Sequence, residues 1–261
     1  MPGFILDMDG TLYHGKHPIP HAAEFVRHLR DRRLPFLLMT NNSSKTPAQV
    51  ADHLRETGIA AGEEEIFTSA QAAAQYLSER RKNGRVYAIG ETGLLDALRA
   101  AGFTLTDEGP DYVVQGIDRE FNYGKLAAAV RAILDGARFV MTNPDHLLPS
   151  DGLLNPGAGS LGAAIQTASA AEPVVIGKPS PIIMNYALEK LGGLPPQDVW
   201  VIGDNIRTDI GGGQAAGCRT ALVLTGLATA DNVELHIAES GIQPDAVCKD
   251  LAEFFLRLTQ I

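Results

Sequence analysis

The chain has 261 residues, 45% of them hydrophobic and 20% charged, which suits a soluble globular protein with one large core or two smaller ones. The formal net charge is -9 and the pI near 5.2, and the sequence shows no basic stripe of the kind a nucleic-acid binder usually carries. The nearest candidate, Arg27–Arg33, is broken by Asp31 and reads as the solvated face of a helix.

No segment reaches the roughly 18–20 apolar residues of a membrane span. The N-terminal residues run directly into Asp7 with no basic region, unlike a signal peptide. Cys218 and Cys248 have no nearby partner in a metal-ligand spacing and suit a reducing compartment, so the expected location is cytoplasmic, with no membrane partner. An acidic protein that handles an anion needs a local cation, either a lysine or a metal.

Taken in chain order, short apolar runs alternate with helical patterns, the rhythm of an α/β fold with a parallel sheet. Strands are expected at Phe4–Leu6, Pro35–Met39, Val86–Ile89, Tyr112–Val114, Phe139–Met141, Val174–Ile176, Val199–Ile202 and Ala221–Leu224. Helices are expected at Pro47–Thr57, stopped by Gly58, and at Leu94–Ala101, stopped by Gly102. Two more are expected at Tyr123–Leu134, ending near Gly136, and at Ser180–Leu191, ending at Gly192-Gly193. Ala70–Ala74 also reads as helix.

Four of these strands run straight into polar residues: Asp7, Thr40-Asn41, Gly177-Lys178 and Gly203-Asp204. In a parallel sheet the carboxyl ends of the strands share one edge, and ligands bind where the strand order reverses. Four distant pieces of sequence are therefore expected to meet at one site.

Asp7 and Asp9 stand two apart, and Gly10 suggests that the chain turns there. Carboxylates held close together need a cation or a shared proton, and Asp204 adds a third. Such an oxygen-rich group suits Mg²⁺. Lys178 supplies fixed positive charge, and Thr40 and Asn41 supply hydrogen-bond donors. A nucleophilic carboxylate, a metal, a cation and donors are what phosphoryl transfer to an aspartate requires. Singly, each piece has a plainer reading: a turn or helix cap for Asp-x-Asp and Gly-Asp, a surface lysine for Lys178. Their order and strand-end placement favour the site.

Asp7-Met8-Asp9-Gly10-Thr11, Thr40-Asn41, Lys178, and Gly203-Asp204-Asn205 with Asp209 resemble, in order, the four signatures of the haloacid dehalogenase (HAD) superfamily. Thr40-Asn41-Asn42-Ser43, Thr142-Asn143-Pro144-Asp145 and Gly177-Lys178-Pro179-Ser180-Pro181 resemble its subfamily IIA, the NagD / 4-nitrophenylphosphatase branch. The resemblance implies a Rossmann-like parallel-sheet core with an inserted α/β (C2-type) cap domain. The gap from Asn41 to Lys178 holds about three further strand–helix pairs, too much for a loop. The cap is accordingly expected at 83–176 and the catalytic core at 1–82 and 177–261.

The resemblance also implies roles. Asp7 is the nucleophile that forms an aspartyl-phosphate, and Asp9 the general acid and base. Asp7, Asp204 and the backbone carbonyl of Asp9 are Mg²⁺ ligands. Thr40, Asn41 and Lys178 hold phosphoryl oxygens, while Asn205 and Asp209 support the ligands from behind. Many relatives carry Arg where this chain has Asn205, a tolerated change. The cap loop His146–Asp151 is expected to touch substrate, with Asn143, Asp145, His146 and Leu148 as the named candidates. The substrate would be a small phosphorylated metabolite of the nucleotide, sugar-phosphate or phosphoglycolate type. Relatives often associate through the cap, so a homodimer is a mild expectation.

Other residues read more plainly. His14, His17 and His21 suit a polar loop and helix entry, and Trp200 suits a buried strand. Gly157-Ala158-Gly159-Ser160 lacks the Lys-Ser/Thr of a phosphate loop and reads as a helix start. Gly211-Gly212-Gly213 suits close packing or a turn. Two other functions stay open. One is a phospho-aspartate signalling module, against which Asp9 and the insertion argue. The other is a non-catalytic binding protein on the same fold.

Overall fold

The structure, a computed structural model, describes residues 2–150 and 153–258. The described chain forms two compact units. The first comprises Met1–Thr40, Ala48–Phe67 and Lys178–Ile261, and the second Asn41–Pro47 and Thr68–Gly177. The division thus falls at Thr40–Asn41, Pro47–Ala48, Phe67–Thr68 and Gly177–Lys178, whereas the sequence places it at 82–83 and 176–177. The helix Ser69–Arg80 goes with the second unit because it packs on the helix Thr92–Ala100.

The first unit is built on a six-stranded sheet in the order Ala246–Cys248, Arg219–Val223, Val199–Gly203, Gly3–Leu6, Phe36–Thr40, Ile66–Thr68. The strand Gly3–Leu6 pairs in parallel with both neighbours, Ile5 lying beside Val201 on one side and Leu37 on the other. All four of its residues are buried, as the continuous apolar run Gly-Phe-Ile-Leu of a doubly covered strand requires. The chain leaves this strand toward Phe36–Thr40 and later returns on its other side at Val199–Gly203. The strand order therefore reverses between Leu6 and Ile202, which are in register.

Helix Ala22–Asp31 covers one face. Its Ala22, Phe25, Val26 and Leu29 recur at i, i+3, i+4 and i+7, so one stripe is buried. Phe25 meets Phe4 edge-on at 6.3 Å and Phe254 at 6.0 Å, and Phe254 in turn meets Trp200 at 5.1 Å. Truncating an aromatic in such a cluster costs about 3–5 kcal/mol. A smaller cluster of Ile206, Ile210, Leu222, Ala228 and Val233 also packs in this unit.

The second unit has a five-stranded parallel sheet in the order Val174–Val175, Arg138–Met141, Tyr112–Gln115, Arg85–Ile89, Thr104–Leu105. Its own core gathers Ile89, Val113, Ile133, Phe139 and Ile165. The strand before Gly177-Lys178, expected to share a sheet with the other three, belongs here instead. A hairpin of Leu147–Ser150 and Leu153–Pro156 was not anticipated, nor were the helices Val233–Ser240 and Leu251–Leu258. Among the described residues no helix is long and apolar enough to cross a membrane.

Candidate active site

The strand reversal of the first unit sets the site. The N–H of Asp7 donates to Ile202 O at 2.9 Å, so the ladder holds the chain up to the first carboxylate. Beyond it the chain turns. The N–H groups of Thr11, Leu12 and Tyr13 all point at Met8 O, and Gly10 N–H donates to Tyr13 O at 2.8 Å. Gly10 has φ +83°, and a Cβ there would fall on the carboxylate of Asp204. Only glycine supplies that backbone and that space. Asp9 sits in this turn and is exposed, whereas Asp7 is largely buried.

Asp204 follows the adjacent strand and is buried. After it the chain makes a single wide turn, Ile206–Ile210, of the π type. The side chain of Asn205 opens that turn by accepting from the N–H groups of Arg207 at 3.0 Å and Thr208 at 3.3 Å. The extra residue per turn brings Asp209 back over the strand end, where its Oδ2 accepts from Asn205 N–H at 3.1 Å. Asp7, Asp204 and Asp209 consequently each place a carboxylate oxygen within 4.8 Å of the others.

Lys178 stands two residues before the cap of helix Pro181–Lys190, where Ser180 Oγ accepts from Ile182 N–H and Pro181 opens the helix. It is buried, and its Nζ donates to Asp7 Oδ1 and, at 2.7 Å, to Asp209 Oδ1. Burial alone would lower its pKa, but the charges of Asp209 and Asp7 outweigh it and push the ammonium above the ordinary lysine range. The lysine is therefore a permanent cation.

One lysine does not neutralise three acids. Burial raises the Asp7 pKa to about 6; Lys178 opposes that shift and Asp204 adds to it. Burial also raises Asp204, reinforced by the charge of Asp209, and raises Asp209 against the pull of Lys178. A buried group with an excess of carboxylate and hard oxygen donors is suited to an oxygen-loving divalent cation such as Mg²⁺.

The structure brings Asp7, Lys178, Asp204, Asn205 and Asp209 together in the first unit, and buried Thr40 ends the neighbouring strand Phe36–Thr40. Asp209, expected behind the ligands, lies among the clustered carboxylates, and Asp9, which follows a strand end in a turn, keeps its side chain outside that group. Asn41 falls in the second unit, where its Nδ2 donates to Asp145 Oδ2 at 3.0 Å. Its carbonyl accepts from Asn143 Nδ2 at 2.5 Å and from Ser69 Oγ at 2.6 Å. His146 is exposed and Leu148 lies on the hairpin strand Leu147–Ser150; Asp151, the end of the expected contact loop, lies outside the described residues.

Sequence reading missed the loop after strand Arg219–Val223. There Leu227 N–H donates to Asp204 Oδ2 at 2.6 Å, and Ala228 N–H to Asp204 O at 3.0 Å. A Cβ on Gly226 would also collide with the Asp204 carboxylate. The one available signal was Thr225-Gly226 directly after an apolar run.

Residues 4–104 match the family model for haloacid dehalogenase-like hydrolases, and residues 175–254 match the HAD-hydrolase-like model. The 5'-nucleotidase YutF of Bacillus subtilis is 42% identical over 97% of this chain and 96% of its own. An acid sugar phosphatase of Staphylococcus epidermidis is 41% identical over 95% and 94%. Among solved structures, a p-nitrophenyl phosphatase from Archaeoglobus fulgidus superposes with TM-score 0.92 at 36% identity, covering 97% of both chains. NagD from Escherichia coli K-12 gives 0.89 at 36% identity, covering 97% of this chain and 98% of that one. The glycerol phosphate phosphatase Rv1692 from Mycobacterium tuberculosis, solved in complex with magnesium, gives 0.88 at 35% identity, covering 97% and 76%. With its strand-end acids and lysine in the order of the superfamily's signatures, the chain belongs to the haloacid dehalogenase superfamily, as a subfamily IIA, NagD-like phosphatase.

Proposed function

We propose that this enzyme is a Mg²⁺-dependent phosphomonoesterase that hydrolyses small phosphorylated metabolites through an aspartyl-phosphate on Asp7. The observation that carries the reading is the buried group at the strand reversal, where Lys178 bridges Asp7 and Asp209 beside Asp204. Asp7, Asp204 and the Asp9 carbonyl would hold the metal, with Asp209 and Asn205 supporting them. When bound, Mg²⁺ supplies positive charge to the phosphoryl group and to the crowded carboxylates.

The residues of the chain divide the work. Lys178 and Thr40 hold phosphoryl oxygens, and Lys178 keeps Asp7 ionised. An Asp7 carboxylate oxygen attacks phosphorus, and the bond from phosphorus to the ester oxygen breaks. Asp9, protonated at this stage, gives its proton to the leaving alcohol. As a carboxylate it then takes a proton from water, whose oxygen attacks phosphorus and releases phosphate and free Asp7. Exposure suits Asp9 for this role, because its proton must exchange with leaving group and water. Asn41 is a further proposed phosphate donor. Its amide donates to Asp145, so that bond must be exchanged for one to phosphate.

The second unit is proposed as the cap domain of the family, with Asn143, Asp145, His146 and Leu148 choosing among leaving groups. Relatives that are a 5'-nucleotidase, an acid sugar phosphatase and a glycerol phosphate phosphatase support substrates of nucleotide and sugar-phosphate size, with phosphoglycolate in the same range. The test is phosphate release from 4-nitrophenyl phosphate and from a panel of such metabolites, with Mg²⁺, with EDTA, and with Asp7→Asn. Release that needs both Mg²⁺ and Asp7 is the expected result. Release that survives EDTA or the Asp7 substitution overturns the mechanism, and a long-lived aspartyl-phosphate points to signalling.

A further inference from the structure

Asp9 and Asp204 follow different strands; the ladder holds the chain up to Asp7, and beyond it Asp9 lies in a turn. The loop that follows strand Arg219–Val223 touches both. Thr225 Oγ1 donates to Gly10 O at 2.7 Å, the carbonyl of the residue that follows Asp9. Two residues further on, Leu227 N–H donates to Asp204 Oδ2 at 2.6 Å, and Ala228 N–H to Asp204 O at 3.0 Å. The backbone of Thr225 is itself held, since its carbonyl meets His14 Nε2 at 2.5 Å, and Leu224 N–H donates to Cys248 O at 3.0 Å. Gly10 and Gly226 both face the Asp204 carboxylate so closely that a Cβ on either would displace it.

We infer that Thr225 is a positioning residue: its hydroxyl ties the Gly10 turn to the loop that grips Asp204, and so sets the position of Asp9 relative to Asp204. The inference rests on the phosphatase reading above. The geometry explains why a hydroxyl is needed. The Gly10 turn is braced internally, by Gly10 N–H on Tyr13 O and Thr11 N–H on Met8 O, and the Thr225 hydroxyl adds the side-chain tie from that turn to the loop that grips Asp204. Loss of that tie would let the turn shift as a unit against the loop, carrying Asp9, whose carbonyl is one peptide away from that of Gly10. Thr225 bonds Gly10 O and His14 and none of the clustered carboxylates. Its effect passes through Asp9 and Asp204.

Thr225→Val keeps the shape and removes the donor; Thr225→Ser keeps the donor. The protein is first stripped of metal, its melting temperature is read, and Mg²⁺ is titrated against that temperature; turnover of 4-nitrophenyl phosphate is measured in parallel. Supporting groups of this kind typically carry about 10- to 100-fold in metal affinity or activity. Thr225→Val is expected to need about tenfold more Mg²⁺ for half-maximal thermal shift and to lose kcat by a similar factor, with KM little changed. Its metal-free melting temperature should stay close to wild type, and Thr225→Ser should recover most of both losses.

A Thr225→Val protein that matches wild type in Mg²⁺ midpoint and kcat overturns the inference. So does a Thr225→Ser protein as impaired as Thr225→Val, because shape and not the hydroxyl would then matter. If Thr225→Val does not fold, Thr225→Ala is read in its place by the same two measurements. A wild-type protein with neither Mg²⁺-dependent shift nor turnover overturns the phosphatase reading itself, a result distinct from normal wild type beside a silent Thr225 variant.

Discussion

The two units carry the same device, a parallel sheet whose buried strands end in polar side chains, yet they use it differently. In the first, the strand ends deliver ionisable groups, Asp7 and Asp204, answered by Lys178 and Asp209. In the second, the corresponding ends deliver neutral ones. Gln115 closes strand Tyr112–Gln115 and Thr142 follows strand Arg138–Met141, both fully buried. Gln115 Nε2 donates to Gly116 O at 2.5 Å and to Ala158 O at 3.0 Å, so it ties backbone to backbone. The Gln115 amide nitrogen stabilises the fold through these bonds, although Gln115 Oε1 and Thr142 Oγ1 are buried without a hydrogen-bond partner among the described residues; a buried excess of carboxylate instead opposes the fold unless a cation binds. Charge at the strand ends, and not the architecture, thus separates the unit that holds the candidate site from its neighbour.

Substitutions can break that contrast. The largest effect is expected from Asp7→Asn, which removes the nucleophile and should lower kcat on 4-nitrophenyl phosphate on the order of 10⁴-fold or more. Residual turnover within tenfold of wild type would place the nucleophile elsewhere.

Next, Lys178→Met should abolish most turnover and also cost about 3–5 kcal/mol in urea unfolding of the metal-free protein, because two buried carboxylates lose their partner. An unchanged unfolding midpoint would mean that water, not Lys178, satisfies them.

Mg²⁺ itself should then behave as a stabilising ligand, adding about 2.7 kcal/mol at a hundred times its Kd, with EDTA reversing the gain. This effect should shrink sharply in Asp204→Asn.

The smallest effect sharpens the other side of the comparison. Gln115→Ala should cost about 1–2 kcal/mol of stability, as two backbone carbonyls lose a donor, while kcat stays within about threefold of wild type. A loss of kcat as deep as that of Lys178→Met would show that the second unit contributes chemistry as well as structure.

Much of this was legible in the sequence, for a local reason. Apolar runs of four or five residues fixed the central strands, so Gly3–Leu6, Phe36–Thr40 and Val199–Gly203 fall within a residue of the expected spans. The helices at Pro47–Glu56 and Tyr123–Leu134 were equally visible from their periodicity. Short edge strands such as Thr104–Leu105 and Ile66–Thr68 were not, since two or three residues carry no period. The unit boundary was missed for another reason. Helix Ser69–Arg80 has its alanine-rich face buried, and such a face packs against almost any apolar surface.

The sequence by itself determined which side chains are available for chemistry and where on the strands they stand, because motif residues directly follow recognisable apolar runs. Tertiary structure decided how they pair. The bond from Lys178 to Asp7 spans 171 positions, that from Lys178 to Asp209 spans 31, and that from Thr225 to Gly10 spans 215. Local periodicity reports which face of an element is buried, but not which distant element lies against it. The wide turn that carries Asp209 among the clustered carboxylates, and the loop that grips Asp204, became visible only once the sheet had closed around the reversal of its strands.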